Sequence, residues 1–164
     1  MLNSFFGIAV KGVTSLVRNT RIGKDLIGLT NPVIDGAKQV LVVGGKGKMG
    51  SSILAGLSFD ESLSLSAITP NLPNDPIARV DYHSSPSEVK KEYDVICFAV
   101  KPQKSSEVIP AYRNKLKKDG VIISVLAGTP ISKIASFFKD QTAIVRMMPQ
   151  ITHGGITGAV ANQY

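Results

Sequence analysis

The stretch Gly44-Gly45-Lys46-Gly47-Lys48-Met49-Gly50 has the residue types and spacing to hold a polyphosphate. Gly45, Gly47 and Gly50 satisfy G-x-G-x-x-G, with the apolar run Val40–Val43 before it and a helix-forming run to Leu57 after it. In that setting the first glycine permits a tight turn, and the second lets backbone approach a pyrophosphate. The third lets helix and strand pack closely. The helix N-terminus then turns unpaired N–H groups and a partial positive charge toward the phosphates. The pattern therefore predicts a dinucleotide site, with Gly44, Gly45, Lys46, Gly47, Lys48, Met49 and Gly50 around the pyrophosphate.

A second group of residues falls where apolar runs end. Leu63 to Thr69 reads as a strand ending at Thr69-Pro70-Asn71, about where a dinucleotide fold places an acid on the adenosine ribose 2′-OH. No acid stands there. A carboxylate would repel a 2′-phosphate, so its absence favours NADP(H) over NAD(H). Asp94 to Val100 is an apolar strand of the kind buried on both sides, and its tip is Lys101-Pro102-Gln103. Ligands of doubly wound sheets sit at the carboxyl ends of strands, so this tip should line the same cleft. The lone Cys97 lies inside that strand and reads as a buried structural thiol, which favours a reducing compartment.

The elements needed to position these residues can be read in order. A strand over Val40–Val43 leads through the glycine turn into a helix to about Leu57. Ile77 to Val80 suggests a short strand, and Ser85-Pro86-Ser87-Glu88 a helix start with Ser85 as N-cap. A basic helix is predicted over Ser105 to Lys118, stopped by Gly120. It is followed by a strand over Val121 to Val125 that ends in Leu126-Ala127-Gly128. Thr129-Pro130 opens a helix through Phe138, and Ala143 to Met148 forms a last strand ending at Pro149-Gln150. Strands alternating with helices predict an α/β fold, Rossmann-type and doubly wound, with a mainly parallel sheet.

The chain divides into residues 1–37, a basic amphipathic extension and linker, and residues 38–164, a NAD(P)-binding Rossmann domain. Residues 1–24 carry Lys11, Arg18, Arg21 and Lys24 and no acid, with apolar residues at helical spacing. An organelle transit peptide, a membrane-surface helix and a loosely packed extension all fit that pattern. Phe5 to Val10 is too short to span a bilayer, so a membrane location is not expected. The 164 residues suit one domain, and 43% hydrophobic with 19% charged residues is ordinary for a globular protein. The net charge of +7 is spread thinly. No basic run is interleaved with aromatics, which argues against nucleic acid as a partner, while a cationic surface suits an anionic cofactor. No metal-ligand pattern is present.

Taken together, the strand tips resemble the cofactor domain of the pyrroline-5-carboxylate reductase family. The resemblance is carried by Gly45–Gly50 and Ala99-Val100-Lys101-Pro102-Gln103. It extends to Ile122–Gly128, Pro130-Ile131-Ser132-Lys133-Ile134 and Val145-Arg146-Met147-Met148-Pro149, within about residues 39–160. It implies hydride transfer from NADPH or NADH to the C=N bond of 1-pyrroline-5-carboxylate, giving L-proline in proline biosynthesis. By the same resemblance Thr69 and Asn71 lie near the adenosine ribose. Ala99, Val100, Lys101 and Pro102, with Val125, Leu126, Ala127 and Gly128, flank the nicotinamide, and Pro149 and Gln150 are close to substrate. A protonated imine is already electrophilic, so positioning dominates and no general acid is assigned.

The departures from the family pattern bear on activity. Lys48 replaces a common Asn, Gln150 another, and the second proline after Met148-Pro149 is missing. The helical dimerisation domain that completes the family's substrate pocket is expected to be absent, unless a separate chain supplies it. A truncated, weakly active or inactive reductase is the expectation. The alternatives are a non-catalytic dinucleotide-binding module or relic, and another NADP-dependent Rossmann reductase. The expected location is cytoplasmic, or mitochondrial if residues 1–24 are a transit peptide.

Overall fold

A computed structural model describes residues 38–139, 142–152 and 155–162. The reading of residues 1–37 as extension and linker lies outside the described residues. The sheet grows outward from β1 (Lys38–Val43), whose Val40–Val43 are buried because parallel neighbours flank both its edges. On one side lies β2 (Leu63–Ile68) and on the other β4 (Tyr93–Phe98). With β3 (Val80–His83), β5 (Leu116–Ser124), β6 (Ala143–Thr152) and β7 (Gly155–Asn162), the strand order is β3-β2-β1-β4-β5-β6-β7. The first six strands run parallel and β7 pairs antiparallel with β6. This is the Rossmann-type doubly wound order, and it reverses direction at β1, so a crevice opens between the tips of β1 and β4.

Each sheet face has its own core. Helix α1 (Lys48–Leu57) buries Ile53, Leu54 and Leu57 against Val40, Val42, Leu65, Ala67 and Cys97. At about 1.5–3 kcal/mol per large apolar side chain, those three residues are enough to hold the helix on the sheet. The opposite face packs Leu41, Val43, Ile68, Ile96, Phe98 and Ile122 under Val89, Ile109, Tyr112, Leu126 and Ile134. Phe98 meets Tyr112 edge-on, with ring centroids 5.6 Å apart. At the end of the sheet away from the crevice, Asp94 ties three strands together. Its carboxylate accepts the Gln39 N–H at 2.8 Å and the Lys117 ammonium at 3.0 Å. Among the described residues no helix is long and apolar enough to cross a membrane.

Several elements differ from the sequence expectations. The predicted helix over Ser105 to Lys118 is instead the single turn α2 (Ser105–Val108), between tighter turns at Pro102–Lys104 and Ile109–Tyr112. Pro110 has no N–H to continue an α-helical ladder, and β5 already begins at Leu116. Gly120 is thus inside a strand rather than a helix stop. A Cβ there would lie 2.6 Å from Leu116 Cδ1, beside the register shift that follows the Tyr93–Leu116 pair. The short strand falls on Val80–His83, not Ile77–Val80, because Arg79 takes a left-handed conformation (φ 66°) that ends any extended run.

Ser85 makes no side-chain cap, and the helix it precedes is one 3₁₀ turn, Pro86–Glu88. The turn is instead tied by Glu88, whose carboxylate accepts the Ser84 N–H at 3.0 Å and the Ser84 hydroxyl. These bonds hold the Glu88 carboxyl below its ordinary range. Helix α3 is shorter than expected, Ile131–Ala135. The last predicted strand does not end at Pro149-Gln150 but runs to Thr152, and β7 was not anticipated.

Candidate functional site

The glycine loop starts where β1 runs out, and its first residue, Gly44, carries the turn. Gly44 has φ 91°, and a Cβ there would lie 2.6 Å from the Ala99 carbonyl oxygen at the β4 tip. The tight turn thus falls one residue before the first glycine of the motif. Gly45 is held by a different constraint: a Cβ would press to 2.8 Å from the Ala67 Cβ on β2. Both loop N–H groups, of Gly44 and Gly45, donate to the Ile68 carbonyl at 2.8 and 3.2 Å. Gly50 is the closest approach of all, since a Cβ would sit 2.1 Å from the Gly44 carbonyl oxygen. That contact lets α1 lie directly on the turn.

Gly47 is the exception. It is the N-cap of α1 with φ −62° and ψ 160°, a conformation any residue adopts. A Cβ there would meet the Gly44 oxygen at 3.4 Å and the Ala99 oxygen at 4.0 Å, ordinary contact distances. The fold has no need of glycine at this position. Around it, the N–H groups of Lys46, Lys48, Met49 and Gly50 have no acceptor among the described residues. Lys46, Gly47 and Lys48 are exposed. Free N–H groups, a helix N-terminus and two lysines make a loop suited to a phosphate, and the residue closest to that space has no side chain.

The remaining predicted positions converge on the same edge of the sheet. Ala99 and Val100 follow β4 and pack on Gly44, with the Ala99 N–H donating to the Val43 carbonyl at 2.8 Å. Lys101 is exposed, and Pro102 opens the turn that leads into α2. Val125 donates its N–H to the Phe98 carbonyl at 3.2 Å, which draws the β5 tip alongside β4. Ala127 and Gly128 are exposed, Gly128 with φ 67°. Leu126 is different: its side chain is 1% exposed and belongs to the core, so only its backbone can face a ligand.

Thr69 and Asn71 sit at the β2 tip, but Thr69 is buried and its hydroxyl donates to the Asn71 carbonyl at 3.1 Å. Asn71 and Pro70 are the exposed residues there. Arg79, the nearest arginine in sequence, points elsewhere, donating to the Ser58 carbonyl at the far end of α1 at 2.8 Å. Pro149 and Gln150 are not in a loop after the last strand. They lie within the β6–β7 pairing, opposite Gly158 and Thr157. His153 lies outside the described residues.

Two features were not foreseen from the sequence. Ala67, in register with Val42, lies where a Cβ on Gly45 would fall, a contact that only the fold reveals. Arg146, on β6 in register with Ser124, carries a buried Nε with no hydrogen-bond partner. Cys97 is 3% exposed, and burial pushes its thiol up to about 12, so it is an inert core residue as expected. Among the described residues no group of three His, Cys, Asp or Glu side chains is placed to hold a metal.

Comparison with known proteins gives this geometry a context. No family model matches the chain. Over 114 residues it is 31% identical to a pyrroline-5-carboxylate reductase of Methanosarcina acetivorans, covering 65% of this chain and 42% of that protein. Over 112 residues it is 31% identical to a pyrroline-5-carboxylate reductase of Arabidopsis thaliana, covering 64% and 40% respectively. The crystal structure of the Plasmodium falciparum pyrroline carboxylate reductase with NADP bound is similar at a TM-score of 0.58 and 26% identity. That match covers 69% of this chain and 42% of the other. The chain thus spans about two fifths of the length of the relatives it matches.

Proposed function

We propose that this chain, which belongs to the pyrroline-5-carboxylate reductase family through its N-terminal dinucleotide-binding region, binds a nicotinamide dinucleotide across the tips of β1, β4 and β5. Residues 38–164 act as the NAD(P)-binding unit. Gly44 to Gly50 hold the pyrophosphate through the free N–H groups at the start of α1, with Lys46 and Lys48 adding charge. Asn71 and the backbone at Thr69 face the adenosine ribose. Ala99 to Pro102 and the Val125–Gly128 backbone flank the nicotinamide. The observation that carries this assignment is Gly47: the fold leaves room for a side chain there, and a pyrophosphate does not.

The preferred cofactor is NADP(H), because the β2 tip has no carboxylate to repel a 2′-phosphate. The reaction is reduction of 1-pyrroline-5-carboxylate to L-proline, for which the bound dinucleotide supplies the hydride. The chain's own residues orient the donor and exclude water from one side of it. These 164 residues hold substrate on that side only and reduce it slowly by themselves; a helical domain, in the same or a separate chain, supplies the rest. Loss of positioning can remove up to about 7–11 kcal/mol of barrier lowering. The deciding experiment is calorimetric titration with NADPH and NADH, followed by NADPH oxidation with pyrroline-5-carboxylate. Tighter NADH binding would sink the cofactor preference, and turnover on the order of 10 per second would refute the incomplete pocket.

A further inference from the structure

The two edges of the sheet are built differently. At one edge, β3 has features that keep a strand from recruiting another. It is four residues long, it carries Asp81 beside His83 at 3.2 Å, and the left-handed Arg79 cuts it off. At the other edge, β7 is eight residues long and contains neither a charged residue nor a proline. The lack of charge extends beyond the strand: all 19 Lys and Arg and all 12 Asp and Glu of the chain precede Met147.

Strand β6 also outruns its parallel neighbour. Ala143–Arg146 pair with β5, whereas Val145–Thr152 pair with β7. Met147 to Thr152 therefore rise past the last β5 pairing with only β7 beside them, as about 20 Å of two-stranded ribbon beyond the crevice edge. A ribbon of two strands is marginal in water, and further strands are what stabilise it. Among the described residues none is supplied, because β7 is the last strand of the sheet, and Met148 on the ribbon is 42% exposed. Every second N–H and C=O of β7 points away from β6 and is open to another strand.

We propose that β7 is an interface for a second copy of this chain, pairing antiparallel with its own counterpart about a twofold axis near Gly158 and Ala159. That register engages all eight residues of both strands and joins two seven-stranded sheets into one. Charge selects the second copy as the occupant. At a net +7, two copies repel wherever their lysines meet, and residues 147–164 form the one long stretch in which no like charges oppose each other. The paired ribbons then make four strands, which holds Pro149 and Gln150 in place at the crevice edge.

The test uses the whole chain without cofactor, so it stays readable whatever becomes of the dinucleotide site. Sedimentation velocity across about 1–100 μM, the range suited to a small interface, should show a monomer–dimer equilibrium ending at twice 17.4 kDa. Hydrogen exchange at the two ends of that range should protect alternate amides of β7 only in the dimer. Ala159 shares a face of the ribbon with the exposed Met148, so the monomer has room for a longer side chain there. Ala159→Lys and Ala159→Glu each set like charges together across the axis and should weaken the dimer roughly tenfold. An equimolar mixture of the two variants should associate as the parent does, a rescue that damage to the ribbon cannot give. A parent that stays monomeric, as it would if β7 served a strand of another polypeptide, overturns the proposal. So does a dimer that neither variant weakens. Two weakened variants that fail to associate when mixed would make Ala159 structural, with the same consequence. Growth past the dimer would mean open-ended edge pairing and would refute the closed twofold.

Discussion

Two single-methyl substitutions in the glycine loop, Gly47→Ala and Gly50→Ala, should have opposite phenotypes. At Gly47 the backbone is extended and the nearest atom to a Cβ is 3.4 Å away, so alanine fits. Lower unfolded-state entropy favours alanine by about 0.4–1 kcal/mol. Alanine's poor N-cap character costs a comparable amount, so the net change is within about 1 kcal/mol and Tm moves by a few degrees. Binding is another matter. Pushing the pyrophosphate off the loop forfeits two charge-assisted N–H bonds of about 1.5–3 kcal/mol each, a loss of roughly 10²–10⁴ in affinity. At Gly50 the methyl would start 2.1 Å from a backbone oxygen, and α1 must move by more than an ångström to admit it. Such overpacking costs about 1–3 kcal/mol or more, and Tm should fall clearly. Thermal melts and NADPH titrations on the same preparations read both effects. If Gly47→Ala binds NADPH as the parent does, the loop is only a structural turn and the cofactor site is misplaced.

Other expectations follow from the same geometry. Asn71→Asp, at the exposed end of the β2 tip, should weaken NADPH binding much more than NADH binding, and equal losses would remove the β2 tip from the ribose site. Cys97, with its thiol pushed up to about 12 and its side chain buried, should resist alkylation at pH 8 until the protein is unfolded. Rapid labelling of the native chain would contradict the packing around β4. Asp94→Ala should destabilise by about 1.5–3 kcal/mol, since it removes the acceptor for both the Gln39 N–H and Lys117; urea midpoints report this directly. Glu88, whose carboxyl is lowered by its Ser84 bonds, stabilises fully above the ordinary carboxylate range. That contribution is lost as pH falls through its native value, so Glu88→Gln should lose less stability on acidification than the parent.

How much of this was legible in the sequence depended on whether a local signal survived tertiary packing. The β1–turn–α1 unit was readable because Val40–Val43 are apolar throughout and the glycines cluster at one end. The tips of β4 and β5 were readable for the same reason. The stretch Lys115 to Lys118 reads as helix in the sequence because lysines look alike on a helix and on the outer end of a strand, where Lys115 and Lys117 are in fact half-buried. Only the register shift next to Tyr93 shows that Leu116 already pairs. Strand β7 was invisible because Gly155 and Gly158 depress β propensity, and its pairing partner, not its composition, makes it extended. The allocation of roles among the glycines was also hidden. Spacing marks Gly45 as the turn, whereas the Ala99 carbonyl imposes that role on Gly44.

The central placement of β1 also sets a schedule for the growing chain. Its carboxylate clamp joins Gln39 to Asp94 across 55 residues of sequence, and its second neighbour, β4, is made only then. At about 5–20 residues per second, a ribosome needs roughly 3–11 s to deliver β4 after β1 has been synthesised. Early in that interval β2 (Leu63–Ile68) is also unmade, and until β4 follows, Val40–Val43 keep an open row of N–H and C=O groups on at least one edge. A chaperone that shields nascent strands would find an open apolar edge here, before the crevice exists.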